Sequence, residues 1–215
     1  MRRTGARRTF ENALRRWGFA LVAGVDEVGR GCLAGPVVSA AVILHPDRHI
    51  PRLADSKVVP APERRRLSDR IRAEAIAWAV GAVDAAEIDR LSIHRASIES
   101  MRRSVMALIP LPDCVLVDAF RVPDLPMAQR GIVHGDRLSS AIAAASIVAK
   151  VYRDDLMVRL HESDARYGFD RHKGYGTPDH LAAVARYGYS DQHRRSFRPT
   201  SLFDVIDALE PPTER

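Results

Sequence analysis

Apolar residues fall into two periods along this chain, and the switch between them marks out its elements. The run Phe19-Ala20-Leu21-Val22-Ala23-Gly24-Val25-Asp26 is short and apolar and ends in an acidic, glycine-rich turn, and Gly35 to Leu44 is a second run rich in Val and Ile. The two predict the arms of a hairpin. Residues 62–74 open on Pro62 and carry many Arg and Glu, as a surface helix does, and Ala75 to Val83 has the β-branched character of a third strand. From Ile93 to Ile109 the period changes, with Ile93, Ala96, Ser97, Ser100, Met101, Ser104, Val105 and Leu108 at helical spacing. Cys114 to Asp118 then reads as a buried strand ending in an acid, and Gly131 to Asp136 repeats that form. Between Leu138 and about Leu160 lies the longest helical segment, whose Ala141, Ala144, Ala145, Ser146 and Ala149 let its backbone approach a sheet closely. From His172 onward the pattern is loop and helix.

This order predicts an α/β protein: one mixed sheet, antiparallel at first and parallel later, with helices on both faces and a C-terminal helical segment. Residues 1–18 are expected to form a basic arm or short helix, 19–165 the core, and 166–215 a helical segment packed on that core and binding substrate. A chain of 215 residues that is 46% hydrophobic is long enough for one buried core. Its 33 Lys and Arg against 27 Asp and Glu favour polyanionic partners over cationic ones. Cys32 and Cys114 are too few and too irregular for a disulfide framework or a Cys-based zinc site, and they suit a reducing cytoplasm. No apolar run approaches the roughly 18 residues of a membrane span. Nothing in the pattern requires more than a monomer.

Candidate chemistry begins at the end of the first strand. Asp26-Glu27 followed by Gly29-Arg30-Gly31 presents two carboxylates, a backbone that a ligand can approach closely, and a phosphate-directed guanidinium. A solvated acidic turn is the plain alternative. Asp118 and Asp136 also close predicted strands, and in open α/β sheets the functional crevice lies beyond the carboxyl ends of parallel strands. Taken alone, Asp118 is a strand-end acid and Asp136 a helix cap. Four carboxylates brought together would repel unless cations neutralised them, and an all-oxygen set suits Mg²⁺ or Mn²⁺. Two such ions give the two-metal route to phosphodiester cleavage. No Gly-x-Ser-x-Gly elbow or phosphate-binding Gly-Lys-Ser/Thr loop competes with that reading.

A second cluster is His172-Lys173-Gly174-Tyr175-Gly176-Thr177-Pro178, where Thr177 is placed to cap a helix starting at Pro178. Helix-entry punctuation explains the second half, whereas a tyrosine framed by glycines beside Lys173 fits stacking on a sugar or base. Arg194, within His193-Arg194-Arg195-Ser196-Phe197, belongs to a solvated basic face or a phosphate contact. Asp55-Ser56-Lys57 is a turn or a lysine poised over a phosphate.

These residues together resemble the type 2 ribonucleases H, the RNase HII family, from about Phe10 to Phe197. The resemblance is carried by Asp26-Glu27-Val28-Gly29-Arg30-Gly31-Cys32-Leu33-Ala34-Gly35-Pro36-Val37, by Asp55-Ser56-Lys57, by Gly135-Asp136 and by Ala143 to Val151 with Arg153-Asp154. Lys173 to Thr177 and His193 to Phe197 complete the order. It implies the RNase H-like five-stranded mixed sheet, with Asp26, Glu27, Asp118 and Asp136 as catalytic, metal-holding acids for two Mn²⁺ or Mg²⁺ ions. It further implies that Gly29, Arg30, Gly31 and Tyr175 recognise a ribonucleotide beside DNA, with Lys57, Lys173 and Arg194 as further substrate contacts. The implied reaction is cleavage 5′ of ribonucleotides in RNA/DNA hybrids or duplex DNA, giving 5′-phosphate and 3′-hydroxyl ends and starting removal of misincorporated ribonucleotides. Three positions depart from the family pattern: Cys32 stands where proline is usual, Val58-Val59 replaces Lys-Leu, and Ala119 follows Asp118 where glycine is common. A hybrid-binding protein without catalysis is the rival of another class, and clustered negative charge argues against it. The RNase HIII type is expected to carry an extra N-terminal domain, for which residues 1–18 leave no room.

Overall fold

A computed structural model of the chain describes residues 6–197. The elements run α1 (Thr9–Arg16), β1 (Val22–Val28), β2 (Val37–Ile43), α2 (Ala61–Glu74), β3 (Ala77–Val83), α3 (Ala85–Leu91), α4 (Ile93–Met106), β4 (Cys114–Asp118), β5 (Ala128–Ile132), α5 (Gly135–Leu138), α6 (Ser140–Ser163), α7 (Phe169–His172) and α8 (Pro178–Tyr187). The five strands form one sheet in the order β3-β2-β1-β4-β5. β1 and β3 both pair antiparallel with β2, whereas β4 lies parallel to β1 and β5 parallel to β4. The expected change from antiparallel to parallel pairing therefore falls at β1, so the central strand carries the first two acids.

Strand alternation sends successive side chains of β2 to opposite layers. Ala40, Val42 and Leu44 pack with α2 and α6 residues such as Ile71, Ile147 and Val148. Ala41 and Ile43 pack instead with Met101 and Val105 of α4. The small residues of α6 work as the spacing predicts, and β1 meets them with a glycine. A Cβ on Gly24 would lie 2.1 Å from the Ala141 carbonyl carbon and 2.2 Å from the Ile142 nitrogen, so only glycine lets the start of α6 lie on β1. Buried Glu11 of α1 anchors that same start. It accepts hydrogen bonds from Ser139 Oγ at 2.7 Å and from the Ala141 amide at 2.8 Å, answering a helix N-terminus with a carboxylate.

Three elements differ from the sequence expectation. Helix α4 stops at Met106 rather than Ile109, because the chain turns at Ala107 ahead of Pro110, and Ile109 is left exposed. Helix α3 was not foreseen, although Asp84 caps it by accepting from the Glu87 amide at 2.8 Å, an Asp-x-x-Glu signal that the sequence contains. The fifth strand ends at Ile132, and Asp136 sits in the first turn of α5 instead of closing a strand. His134 in the left-handed region (φ +56°) breaks the strand, and the Gly135 amide then donates to Asp118 Oδ1 at 2.7 Å, folding the chain back over the sheet end.

Candidate active site

The carboxyl ends of β1 and β4 lie side by side, and one residue beyond their paired Val25 and Val117 stand Asp26 and Asp118. Asp26 is buried and lies beside Ser146 of α6, which opposes the rise in its proton affinity. Its proton affinity is held well above the carboxylate norm, first by burial and then by the neighbouring Glu27 and Asp118 charges. Burial also raises Glu27, with Asp118 adding to it and Arg30 opposing, and burial raises Asp136, with Asp55 and Asp118 adding to it. The four predicted acids are thus brought within electrostatic reach of one another. They are joined by Asp55, a buried carboxylate that the sequence reading treated as part of a turn.

Three of these oxygens are held by local donors. Asp26 Oδ1 accepts from the Glu27 amide at 2.7 Å, Asp118 Oδ1 accepts from Gly135, and Glu27 Oε1 accepts from Arg30 Nη1 at 3.4 Å. Among the described residues no three His, Cys, Asp or Glu side chains form a ready-made metal-ligand group. Glu27 Oε2 is different: it is buried and makes no hydrogen bond. A buried carboxylate oxygen without a donor, beside like charges, calls for a cation.

Next to the acids, the turn from Gly29 to Pro36 rests on two fully buried guanidinium groups. Arg194 donates to the carbonyls of Gly29 (2.7 Å), Arg30 (2.9 Å) and Gly35 (2.8 and 3.0 Å). Arg153 donates to Ala34 (3.1 Å) and Pro36 (2.9 Å) and, across a gap in sequence, to Lys173 (2.9 Å). Gly29, at φ +91°, is required here, since a Cβ would meet Arg153 Nε at 2.2 Å. The carbonyls of Gly29, Arg30, Ala34, Gly35 and Pro36 are thus consumed inward by cations. Arg30 packs its guanidinium 4.8 Å from the centre of the Phe120 ring, just past β4.

The Lys173–Gly176 loop joins this turn directly. The Gly174 carbonyl accepts from Leu33 (2.8 Å) and Ala34 (3.3 Å), so the two segments are hydrogen-bonded as one unit. Tyr175 projects from it, 40% exposed, with the pKa of its hydroxyl raised by burial and by the nearby buried Cys32. Lys57 is exposed and acts on Asp136, and the Lys173 ammonium is turned onto the Asp170 carbonyl. Arg194 differs most from expectation. A surface phosphate contact was one reading of it, yet its side chain is sealed beneath the turn and supports Gly29 and Arg30 from behind.

The ribonuclease HII sequence profile matches residues 23–200, which span all of these segments. The chain belongs to the ribonuclease HII family. Ribonuclease HII of Nitrosococcus oceani is 53% identical over 182 residues, covering 85% of this chain and 90% of that protein. The Bordetella pertussis enzyme is 49% identical over 184 residues, covering 86% and 92%. Among solved structures, ribonuclease H2 of Pyrococcus horikoshii superposes with a TM-score of 0.70 at 23% identity over 87% of this chain and 97% of that one. RNase HII of Archaeoglobus fulgidus, solved in complex with PCNA, gives 0.69 at 25% identity over 86% and 99%. As an RNase HII the chain is an endoribonuclease, and its five-stranded mixed sheet is the RNase H-like architecture.

Arg153 is among the residues that carry the family resemblance, and its burial beneath the turn is a role that the motif alone does not state. The signal was present in the helical period, because Ser146, Ala149, Arg153 and Met157 continue one stripe of α6 and all four are buried. An arginine on an otherwise small and apolar stripe is there for partners from outside the helix.

Proposed function

We propose that this RNase HII hydrolyses the phosphodiester 5′ of ribonucleotides, in RNA/DNA hybrids and at single ribonucleotides embedded in duplex DNA, using two Mg²⁺ or Mn²⁺ ions. The products are 5′-phosphate and 3′-hydroxyl ends, and the role is removal of ribonucleotides misincorporated into DNA. The observation that carries the reading is the cluster of Asp26, Glu27, Asp118 and Asp136, in which burial and mutual repulsion raise Asp26, Glu27 and Asp136 and leave Glu27 Oε2 without a donor. These four acids would hold the ions, an oxygen-only set suited to hard cations. Divalent ions supply charge stabilisation in the transition state and a water of lowered pKa.

The rest is done by the chain itself. With the Gly29 and Arg30 carbonyls drawn inward by Arg194, the Gly29-Arg30-Gly31 turn offers amides and a guanidinium to the ribonucleotide, whose 2′-hydroxyl is what separates RNA from DNA. Tyr175 packs on the neighbouring sugar, and Lys57 and Lys173 contribute phosphate attraction. Arg194 acts through the turn and not by touching substrate. The test is cleavage of a DNA duplex carrying one ribonucleotide, with Mg²⁺ or Mn²⁺ and then with chelator. Cutting that survives chelation, or wild-type activity in Asp26→Asn, would overturn the mechanism.

A further inference from the structure

Behind the Tyr175 loop lies a cluster of buried His180 and His193 and half-buried His172 with Tyr167 and Phe169, none of which the proposed reaction uses. Its hydrogen bonds fix the position of every imidazole proton. The Ser190 amide, which can only donate, points at His193 Nδ1 from 3.0 Å, so that nitrogen is an acceptor and the proton sits on Nε2. His193 Nε2 lies 3.0 Å from His180 Nε2, which must then accept. That leaves the His180 proton on Nδ1, 2.9 Å from the Tyr175 carbonyl, which can only accept. His172 is ordered the same way, accepting from the Gly174 amide at Nδ1 (3.2 Å) and donating from Nε2 to the Tyr167 carbonyl (2.7 Å).

We propose that His180 and His193 are positioning residues for Tyr175: a proton-ordered pair running from Ser190 to the Tyr175 carbonyl that sets where the phenol ring stands. The proposal rests on the junction-reading role given to Tyr175 above. Both imidazoles are held neutral at pH 7, with proton affinities lowered to about 4 chiefly by burial. The charged groups acting on the cluster are Asp164 on His193, and Asp170, Asp179 and Arg171 on His172. A proton added to His180 would set two N–H groups against each other across 3.0 Å within the pair, and one added to His193 would face the Ser190 amide at the same distance. Packing alone would need only a ring of similar size at these sites, whereas the ordered pair needs a donor at one defined atom.

Two measurements decide it. Long-range ¹H–¹⁵N NMR of the full-length protein at pH 7 is expected to find His193 as the Nε2–H tautomer and His180 as the Nδ1–H tautomer. Any other tautomer for either residue, or a protonated ring, overturns the pair. In single-turnover cleavage, His180→Asn keeps an amide donor where Nδ1 stood, and its ratio of embedded-ribonucleotide to hybrid cleavage is expected within about 3-fold of wild type. His180→Gln places its amide at the Nε2 position, and the ratio is expected to fall about 10-fold, the loss of one hydrogen bond's worth of placement. Equal ratios in the two variants count against positioning. If neither variant folds, the wild-type tautomers decide alone. An unchanged ratio in Tyr175→Ala, with the tautomers as expected, would instead remove the reading of Tyr175 and leave the pair intact.

Discussion

The acid cluster and the Gly29–Pro36 turn are neighbours in the same molecule with opposite electrostatic construction. At the ends of β1 and β4, negative charge is gathered and left short of donors, with Asp26 buried and Glu27 Oε2 unpartnered. Under the turn, positive charge is buried just as deeply, yet Arg153 and Arg194 place all their bonds on backbone carbonyls. One region is incomplete without a cation and the other is complete in itself. Function tolerates a costly arrangement where a ligand relieves it, whereas the recognition role proposed for the turn requires a surface already in place.

The comparison predicts that substitutions in the two regions fail in opposite ways. Asp26→Asn should lower the single-turnover cleavage rate by about 10³-fold or more, roughly 4 kcal/mol in the barrier. The metal-free variant should nevertheless melt at or above the wild-type temperature, since a repelling buried charge has been removed. A clear drop in melting temperature would erase the distinction. Arg194→Met should do the reverse on the scaffold, costing about 3 kcal/mol in chemical denaturation by orphaning buried carbonyls. Its hybrid cleavage should survive better than its cleavage at a single ribonucleotide, and a stability equal to wild type would show that the turn holds itself.

Acid should act on the recognition side through His180 and His193. Their folded proton affinities, lowered to about 4, lie below the unfolded value near 6.5, so the unfolded chain binds more protons between those limits. Their contribution is present in full above pH 6.5 and is lost as pH falls through about 4. Denaturation curves should show a decline of up to about 3 kcal/mol for each histidine across that window, and its absence in a His180→Phe, His193→Phe double variant would assign it. Tyr175→Ala should reduce cleavage at a single ribonucleotide about 10-fold more than on a long hybrid, near 1.4 kcal/mol. Equal losses on both substrates would return Tyr175 to general binding. The smallest effect is expected at Ala119, which holds φ +57° directly after Asp118. Ala119→Gly should stabilise the protein by about 1 kcal/mol or less in thermal melts, because glycine adopts that backbone without the Cβ clash.

The strands and most helices were legible because their burial pattern is local. The uniformly apolar runs of β2 and β4 state that both faces are covered, and the small-residue face of α6 states which side lies on the sheet. Thr177 capping α8 was equally readable, its hydroxyl accepting from the His180 amide at 3.4 Å. Asp26, Glu27 and Asp118 could be singled out because an acid ending an apolar strand stands at a sheet edge wherever the strand is placed. Asp136 was found for a partly different reason from the one that holds it, since α5 and not a strand carries it to the others.

What the sequence by itself determined is therefore the sheet, its change from antiparallel to parallel pairing, and the acids at its carboxyl end. Only the tertiary structure decided that Arg194, Arg153, His180 and His193 lie inside. Arg194 reaches carbonyls 159 to 165 residues away, and Arg153 reaches others 117 and 119 away. A charged or titratable side chain is buried when distant backbone supplies its partners, and no local period records where that backbone will be.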